Sequence, residues 1–292
     1  MNVGFIGAGK VGCALGRYFA AGGIPVTGYA SKRVESAERA AALTHTRAFP
    51  SAPDLVAVSD IVFLTVTDST IADVWHDLCA QAGSGGAHPG LLSGKIVCHC
   101  SGCASSTVLD NAADLGAHVA SAHPLTAVSS PELPLEQLAR THVSIEGDPR
   151  AASTLGALFA DLGNPVHTMD AADKVRYHAA AVFASNLVLA TLDTAERLMQ
   201  TCGFSAADAR EALSPLVRGN VDAFCDKGAQ AALTGPVERN DLATVARHLE
   251  ALDAAAPDDA ALYRALTKAL ARIAREKHPD RDYAPLEAAV SA

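Results

Sequence analysis

The chain has 292 residues, of which 49 % are hydrophobic and 19 % charged. That length suggests about two domains, and the composition excludes wholesale disorder while permitting a sizeable core. A formal charge of −9 without a long Lys/Arg block excludes a general nucleic-acid or anionic-membrane surface, since both need a basic footprint.

Seven cysteines form an odd set, with Cys98, Cys100 and Cys103 clustered. Disulfide frameworks belong to short secreted chains, so free thiols in a reducing cytoplasm are the expectation. The Cys100-x-x-Cys103 pair lacks a second Cys/His pair at zinc spacing, and strand alternation turns His99 away from Cys98 and Cys100, so no metal is expected. An apolar run opening at Asn2 leaves no room for a signal peptide. The longest greasy stretch, Ala179 to Leu192, carries Ser185, Asn186 and Thr191 and is short for a membrane span, so no membrane partner is expected.

In chain order, strands are predicted at Asn2 to Gly7, Ile24 to Ala30, Asp60 to Val66, Lys95 to Cys100, His118 to Ala122, Thr141 to Glu146 and Pro165 to Met169. Helical spacing at Lys10 to Ala21, at Arg33 to Leu43 and between most later strands makes this an α/β alternation with a mostly parallel sheet. Gly83 to Gly94 reads as a surface loop. After Met169 the strand pattern stops. Asp170 to Thr201 reads as one long helix, Gly203 and Ser205 as a stop and a new N-cap, and 206–225, 238–253 and 257–276 as further helices. The expected architecture is therefore an N-terminal doubly wound α/β domain at 1–169 followed by an all-α domain at 170–292.

Gly7-Ala8-Gly9-Lys10-Val11-Gly12 matches G-x-G-x-x-G directly after a strand and at the opening of a helix, the context that gives the pattern meaning. The glycines permit a tight turn, close approach of a pyrophosphate to the backbone and close helix–strand packing, while the helix N-terminus favours negative charge. An NAD site would place Asp or Glu at the end of the second strand. Here Tyr29-Ala30 is followed by Ser31, Lys32 and Arg33, which suit a 2′-phosphate by hydrogen bonding and charge. The expected cofactor is NADP(H).

The segments GFIGAGKVG, YASKR and DIVFLTVTD resemble the 6-phosphogluconate dehydrogenase-like superfamily, which includes F420-dependent NADP reductases. HCSGCASSTVL, KVRYHAAAVFASN and ALTGPVERNDLATVARHLEAL resemble proteins that join a Rossmann-like domain to a DUF2520 helical domain. The resemblance implies that Thr65, Val66, Thr67 and Asp68 line the nicotinamide side of the cofactor. It also implies that the helical domain closes over the cleft and forms a homodimer.

Reduction of a carbonyl or imine needs a proton donor and groups that hold substrate, and these collect at the carboxyl ends of parallel strands. Ser101 and His123 end two such strands. Ser101 reads equally as an N-cap for a helix at 104–115, and His123 has a buried structural alternative. Lys174 and His178 stand at i, i+4 on one helix face. Related dehydrogenases carry Lys-x-x-x-Asn at this point, so His178 occupies the Asn position. Asn186 is a substitute, although in a straight helix it lies about 18 Å along the axis from Lys174. Arg239, beside Asn240 and Asp241, is a candidate carboxylate clamp. Two functions follow: an NADP(H)-dependent reductase or dehydrogenase of a small oxo, hydroxy or imino acid, or a non-catalytic NADP(H)-binding sensor on the same fold.

Overall fold

The structure, a computed structural model, describes residues 1–291. It divides into two compact units, Met1–Ala184 and Ser185–Ala292. The first is built on one eight-stranded sheet of order β3-β2-β1-β4-β5-β6-β7-β8. Its strands are β1 (Val3–Ile6), β2 (Val26–Ala30), β3 (Arg47–Phe49), β4 (Ile61–Leu64), β5 (Ile96–His99), β6 (His118–Pro124), β7 (Val143–Gly147) and β8 (Val166–Thr168). β1 to β6 run parallel, β7 is antiparallel to β6, and β8 is parallel to β7.

β1, β4 and β5 are buried at every position, which is why they read as continuous apolar runs rather than as alternations. One face of the sheet packs on α1 (Lys10–Ala21), α2 (Val34–Thr44) and α6 (Pro149–Asp161), through Phe5, Phe19, Tyr29, Phe63 and Phe159. The other packs on α3 (Ala52–Ala57) and α4 (Ile71–Ala82), through Leu55, Leu64 and Trp75. α5 (Leu135–Ala139) lies in the long connection from β6 to β7. Within the 83–94 loop, Leu92 is fully buried and pins an otherwise turn-rich segment.

Several features differ from the sequence expectation. β3 was not predicted, because three residues carry no readable period. No helix forms over 104–115. Two 3₁₀ turns at Ser106–Val108 and Ala113–Leu115 stand there instead, since the Ser106 N–H and hydroxyl turn to the Glu146 carboxylate at 2.6 and 2.8 Å. The long helix is broken. α7 (Lys174–Phe183) and α8 (Asn186–Thr201) flank Ser185, whose φ of −129° and ψ of −84° are not helical.

The division between units falls after Ala184, whereas the strand pattern stops at Met169. The difference is α7, whose Lys174 and Tyr177 are hydrogen-bonded to the ends of β5 and β6 and so belong with the sheet. Considered together, Ala171–Thr201 is long and apolar enough to cross a membrane by length and composition, with no part of the relevant window buried.

The second unit consists of α8, α9 (Ala206–Ala232), α10 (Leu242–Ala255), α11 (Pro257–Lys277) and α12 (Ala284–Ala289). Ser205 caps α9 through the Asp208 N–H, and Asp241 caps α10 through the Thr244 N–H, as their positions in the sequence suggest. α9 runs past the expected end at 225 but breaks at Gly228, where φ is 77°. Val237, Val245, Leu249, Ala271, Tyr283 and Leu286 form the core of this unit. α8 has no buried residue, and α9 buries only Ala209.

Candidate functional site

The glycine turn forms as its spacing demands. Gly7 has φ of 107°, and a Cβ there would stand 2.6 Å from the Thr65 carbonyl oxygen. A Cβ on Gly12 would stand 2.5 Å from both the Gly7 carbonyl oxygen and Thr65 Oγ1. Thr65 Oγ1 donates to the Gly7 carbonyl at 2.8 Å, tying the end of β4 to the turn. Gly9 is the N-cap of α1 without a side-chain cap, and a Cβ there would meet nothing within 4 Å. The first and third glycines are thus required by packing, while the second faces open space at a helix N-terminus. That is where an anion is favoured. Lys10 is exposed and Val11 half-buried at the start of α1.

Beyond β2, Ser31 is half-buried and Lys32 and Arg33 are exposed, with Arg33 as the N-cap of α2. Among the described residues neither cation makes an ion pair with a carboxylate. This donor set fits a dinucleotide with a phosphorylated ribose.

Past β4, Thr65 and Val66 are half-buried, Thr67 and Asp68 are exposed, and Asp68–Thr70 forms a 3₁₀ turn. One oxygen of Asp68 accepts a 2.6 Å hydrogen bond from Ser101 Oγ. The same Oγ accepts from the Cys103 and Ala104 N–H groups at 3.2 and 2.9 Å, so Ser101 caps the turn that replaces the expected helix. The Ser101 N–H donates to His99 Nδ1 at 3.2 Å, and His99 Nε2 faces the Ser105 carbonyl at 3.2 Å. These partners assign the Nε2–H tautomer. Burial pulls the His99 pKa down to about 4, so the ring is neutral.

Lys174, at the start of α7, is 1 % exposed. Its Nζ donates to the Ser101 carbonyl at 2.6 Å and to Ser121 Oγ at 2.7 Å. Ser121 Oγ in turn donates to the Ser101 carbonyl at 3.2 Å. Burial lowers the Lys174 pKa, against the opposing attraction of Glu146, Cys100 and Asp68. The ammonium therefore staples the loop after β5 to β6 and is enclosed rather than offered to a ligand.

His123 and Ser121 stand two residues apart on β6 and so share a face. His123 Nδ1 lies 2.8 Å from the Tyr177 hydroxyl, the two rings meeting edge to face at 86°. Burial lowers the His123 pKa to about 4, helped by the charges of Lys174 and His178. The His178 ring lies 6.4 Å from that of His123. Gly102 packs against both rings.

The structure thus brings together Ser101, His123, Lys174 and His178, and places Asp68 against Ser101. Asn186 lies beyond the break at Ser185, in the second unit, where it is exposed and accepts from Ser185 Oγ at 3.1 Å. The broken helix removes the straight-axis geometry on which its candidacy was weighed. Sequence reasoning missed Ser121, Glu146 and Tyr177. Two of them carry a signal: Ser121 alternates with His123, and Tyr177 is three residues from Lys174 on the same helical face. In the second unit the TGPVERND segment is structural. His278 Nε2 meets Glu238 Oε1 at 2.5 Å, and Asn240 Nδ2 donates to the Asp282 carbonyl at 2.8 Å. Arg239 is exposed. Among the described residues no group of three or more His, Cys, Asp or Glu side chains is placed to hold a metal.

Residues 1–124 match the Rossmann-like domain family, and residues 141–270 match the domain of unknown function DUF2520. No curated protein matches. Among solved structures the chain is similar to protein TM1727 from Thermotoga maritima, at 22 % identity and a TM-score of 0.74, covering 94 % of this chain and 99 % of that one. It is similar to an imine reductase from Pseudomonas sp., at 22 % identity and a TM-score of 0.65, covering 94 % and 97 %. It is also similar to a reductive aminase from Aspergillus terreus in complex with NADPH and ethyl-5-oxohexanoate, at 17 % identity and a TM-score of 0.64, covering 98 % and 97 %. These likenesses establish the fold over nearly the whole chain. The chain is a member of the proteins that join a Rossmann-like domain to a DUF2520 domain.

Proposed function

We propose that this chain is an NADP(H)-dependent oxidoreductase that transfers a hydride to or from a small oxo, hydroxy or imino acid. One observation carries the reading: the carboxyl ends of β4, β5 and β6 gather Asp68, Ser101, His123 and the start of α7, in the sheet whose glycine turn fits a dinucleotide. The similar structures include an NADPH complex and an imine reductase. The reduced cofactor, when bound, supplies the hydride.

The chain's own residues do the rest. The Gly7–Gly12 turn, with Lys10 and Val11 at the start of α1, receives the diphosphate. Ser31, Lys32 and Arg33 receive the additional phosphate. Thr65, Val66, Thr67 and Asp68 border the nicotinamide end. Ser101 holds Asp68 in place, and Lys174 fixes the loop that carries Ser101. His123 and His178 flank the space in which substrate is reduced.

Titration with NADPH and NADH, followed by turnover of a panel of keto acids and imines, tests this. Tighter binding of NADPH with consumption above background on any panel member supports it. Binding without consumption across the panel leaves the sensor function instead, and no binding of either dinucleotide ends both.

The same reading includes a cytoplasmic homodimer formed through the helical unit. Its support is that α8 buries nothing and that Leu189 on α8 and Leu216, Val221 and Phe224 on α9 stay exposed, since uncovered apolar surface marks interaction sites. Sedimentation of the wild type and of Leu189→Glu tests the dimer, which the variant should weaken.

A further inference from the structure

Of the polar groups at the ends of β5 and β6, most are already engaged. Ser101 Oγ donates to Asp68 and accepts from two backbone N–H groups. Lys174 Nζ is enclosed and donates to Ser101 and Ser121. The Nε2 edge of His123 is covered by Gly102, where a Cβ would stand 2.9 Å from Nε2 and 3.0 Å from Cε1. His178 turns its Cδ2 edge to the same glycine, a Cβ there standing 2.6 Å away. Beside them stands the phenol of Tyr177, half-buried, 2.8 Å from His123 Nδ1 and hydrogen-bonded to the side chain of Ser144 on β7. His123 and Ser144 are directly paired across β6 and β7, so the sheet presents both to one phenol oxygen.

We propose that Tyr177 is the catalytic proton donor of the reduction, and that His123 is the positioning residue that donates its Nδ1–H to the phenol oxygen. The proposal rests on the reductase reading. A neutral imidazole donating through Nδ1 leaves the phenol's own proton free for substrate. The carbonyl or imine carbon takes a hydride from the reduced nicotinamide, whose C–H bond breaks and which leaves oxidised. The π electron pair moves to the substrate oxygen or nitrogen. That atom takes the Tyr177 proton as the phenol O–H bond breaks, and the phenolate keeps its pair, held by the His123 N–H until water restores the proton. Burial holds the phenol pKa above its ordinary value, so the donor is fully protonated at neutral pH. Lys174 then keeps the Ser101 loop in register without giving up a proton.

Tyr177→Phe removes one oxygen from a half-buried ring. It is expected to lower kcat at least a hundredfold, with the NADPH dissociation constant within twofold and the melting temperature little changed. A second readout needs no turnover. In protein carrying 13Cζ-labelled tyrosine, His123→Phe should move the Tyr177 ionisation to higher pH, because the phenolate loses a hydrogen-bond donor. If Tyr177→Phe keeps kcat within threefold, or His123→Phe moves the ionisation to lower pH, the assignment is overturned and the reductase reading stands. If the wild type binds NADPH and reduces nothing, the reductase reading falls and takes this assignment with it.

Discussion

Gly102 lies so close to His123 that a methyl group built on its Cα would stand 2.9 Å from the imidazole Nε2. The same methyl would stand 2.6 Å from His178 Cδ2, so one backbone position sets the place of both rings. Gly102→Ala should displace one ring or the other. It is expected to lower turnover more than tenfold and stability by about 1–3 kcal/mol, as overpacking does. Steady-state kinetics beside a urea melt would show it, and unchanged kinetics would mean that the rings move aside freely.

The glycine turn makes a paired prediction. Gly12→Ala puts a methyl 2.5 Å from the Gly7 carbonyl and Thr65 Oγ1, so it should destabilise the apoprotein. Gly9→Ala adds a Cβ that meets nothing within 4 Å and should melt like the wild type, yet it should weaken NADPH binding more than tenfold by blocking approach to the helix N-terminus. Thermal melts without cofactor and fluorescence titrations with it separate the two effects.

Arg33→Glu reverses the charge beside the expected 2′-phosphate. NADPH affinity is expected to fall roughly tenfold or more and NADH affinity much less, since a hydrogen bond to a charged group contributes about 1.5–3 kcal/mol. Equal loss for both dinucleotides would place the phosphate elsewhere.

His99 makes stability depend on pH. Its folded pKa is about 4 against 6.5 for the free side chain, so the unfolded chain takes up a proton first as the pH falls. Stability should be full above pH 6.5 and decline between 6.5 and 4 by up to roughly 3 kcal/mol from this residue. His123, lowered in the same direction to about 4, adds to the decline. Denaturation midpoints measured across this range should fall with acid, and His99→Asn should flatten the slope.

Lys174→Met leaves the Ser101 carbonyl and Ser121 hydroxyl without their ammonium partner, a cost of about 1–3 kcal/mol. Because the lysine positions the loop without donating a proton, residual activity should keep the pH profile of the wild type while its level falls. A displaced alkaline limb would return Lys174 to the role of acid.

The sequence by itself determined the period-bearing elements. β1, β4 and β5 are buried on both faces and so are unbroken apolar runs, and Gly7, Gly9 and Gly12 are spaced by the turn they must make. The caps at Ser205 and Asp241 are likewise local, each a side chain bonding a backbone N–H three residues on. Only the tertiary structure decided the rest, because those outcomes depend on partners distant in sequence. Glu146 draws the Ser106 backbone away from a helix across 40 residues, and Lys174 reaches Ser101 across 73. Tyr177 meets His123 across 54, and no local pattern records a hydrogen bond whose two ends are brought together by the sheet between them.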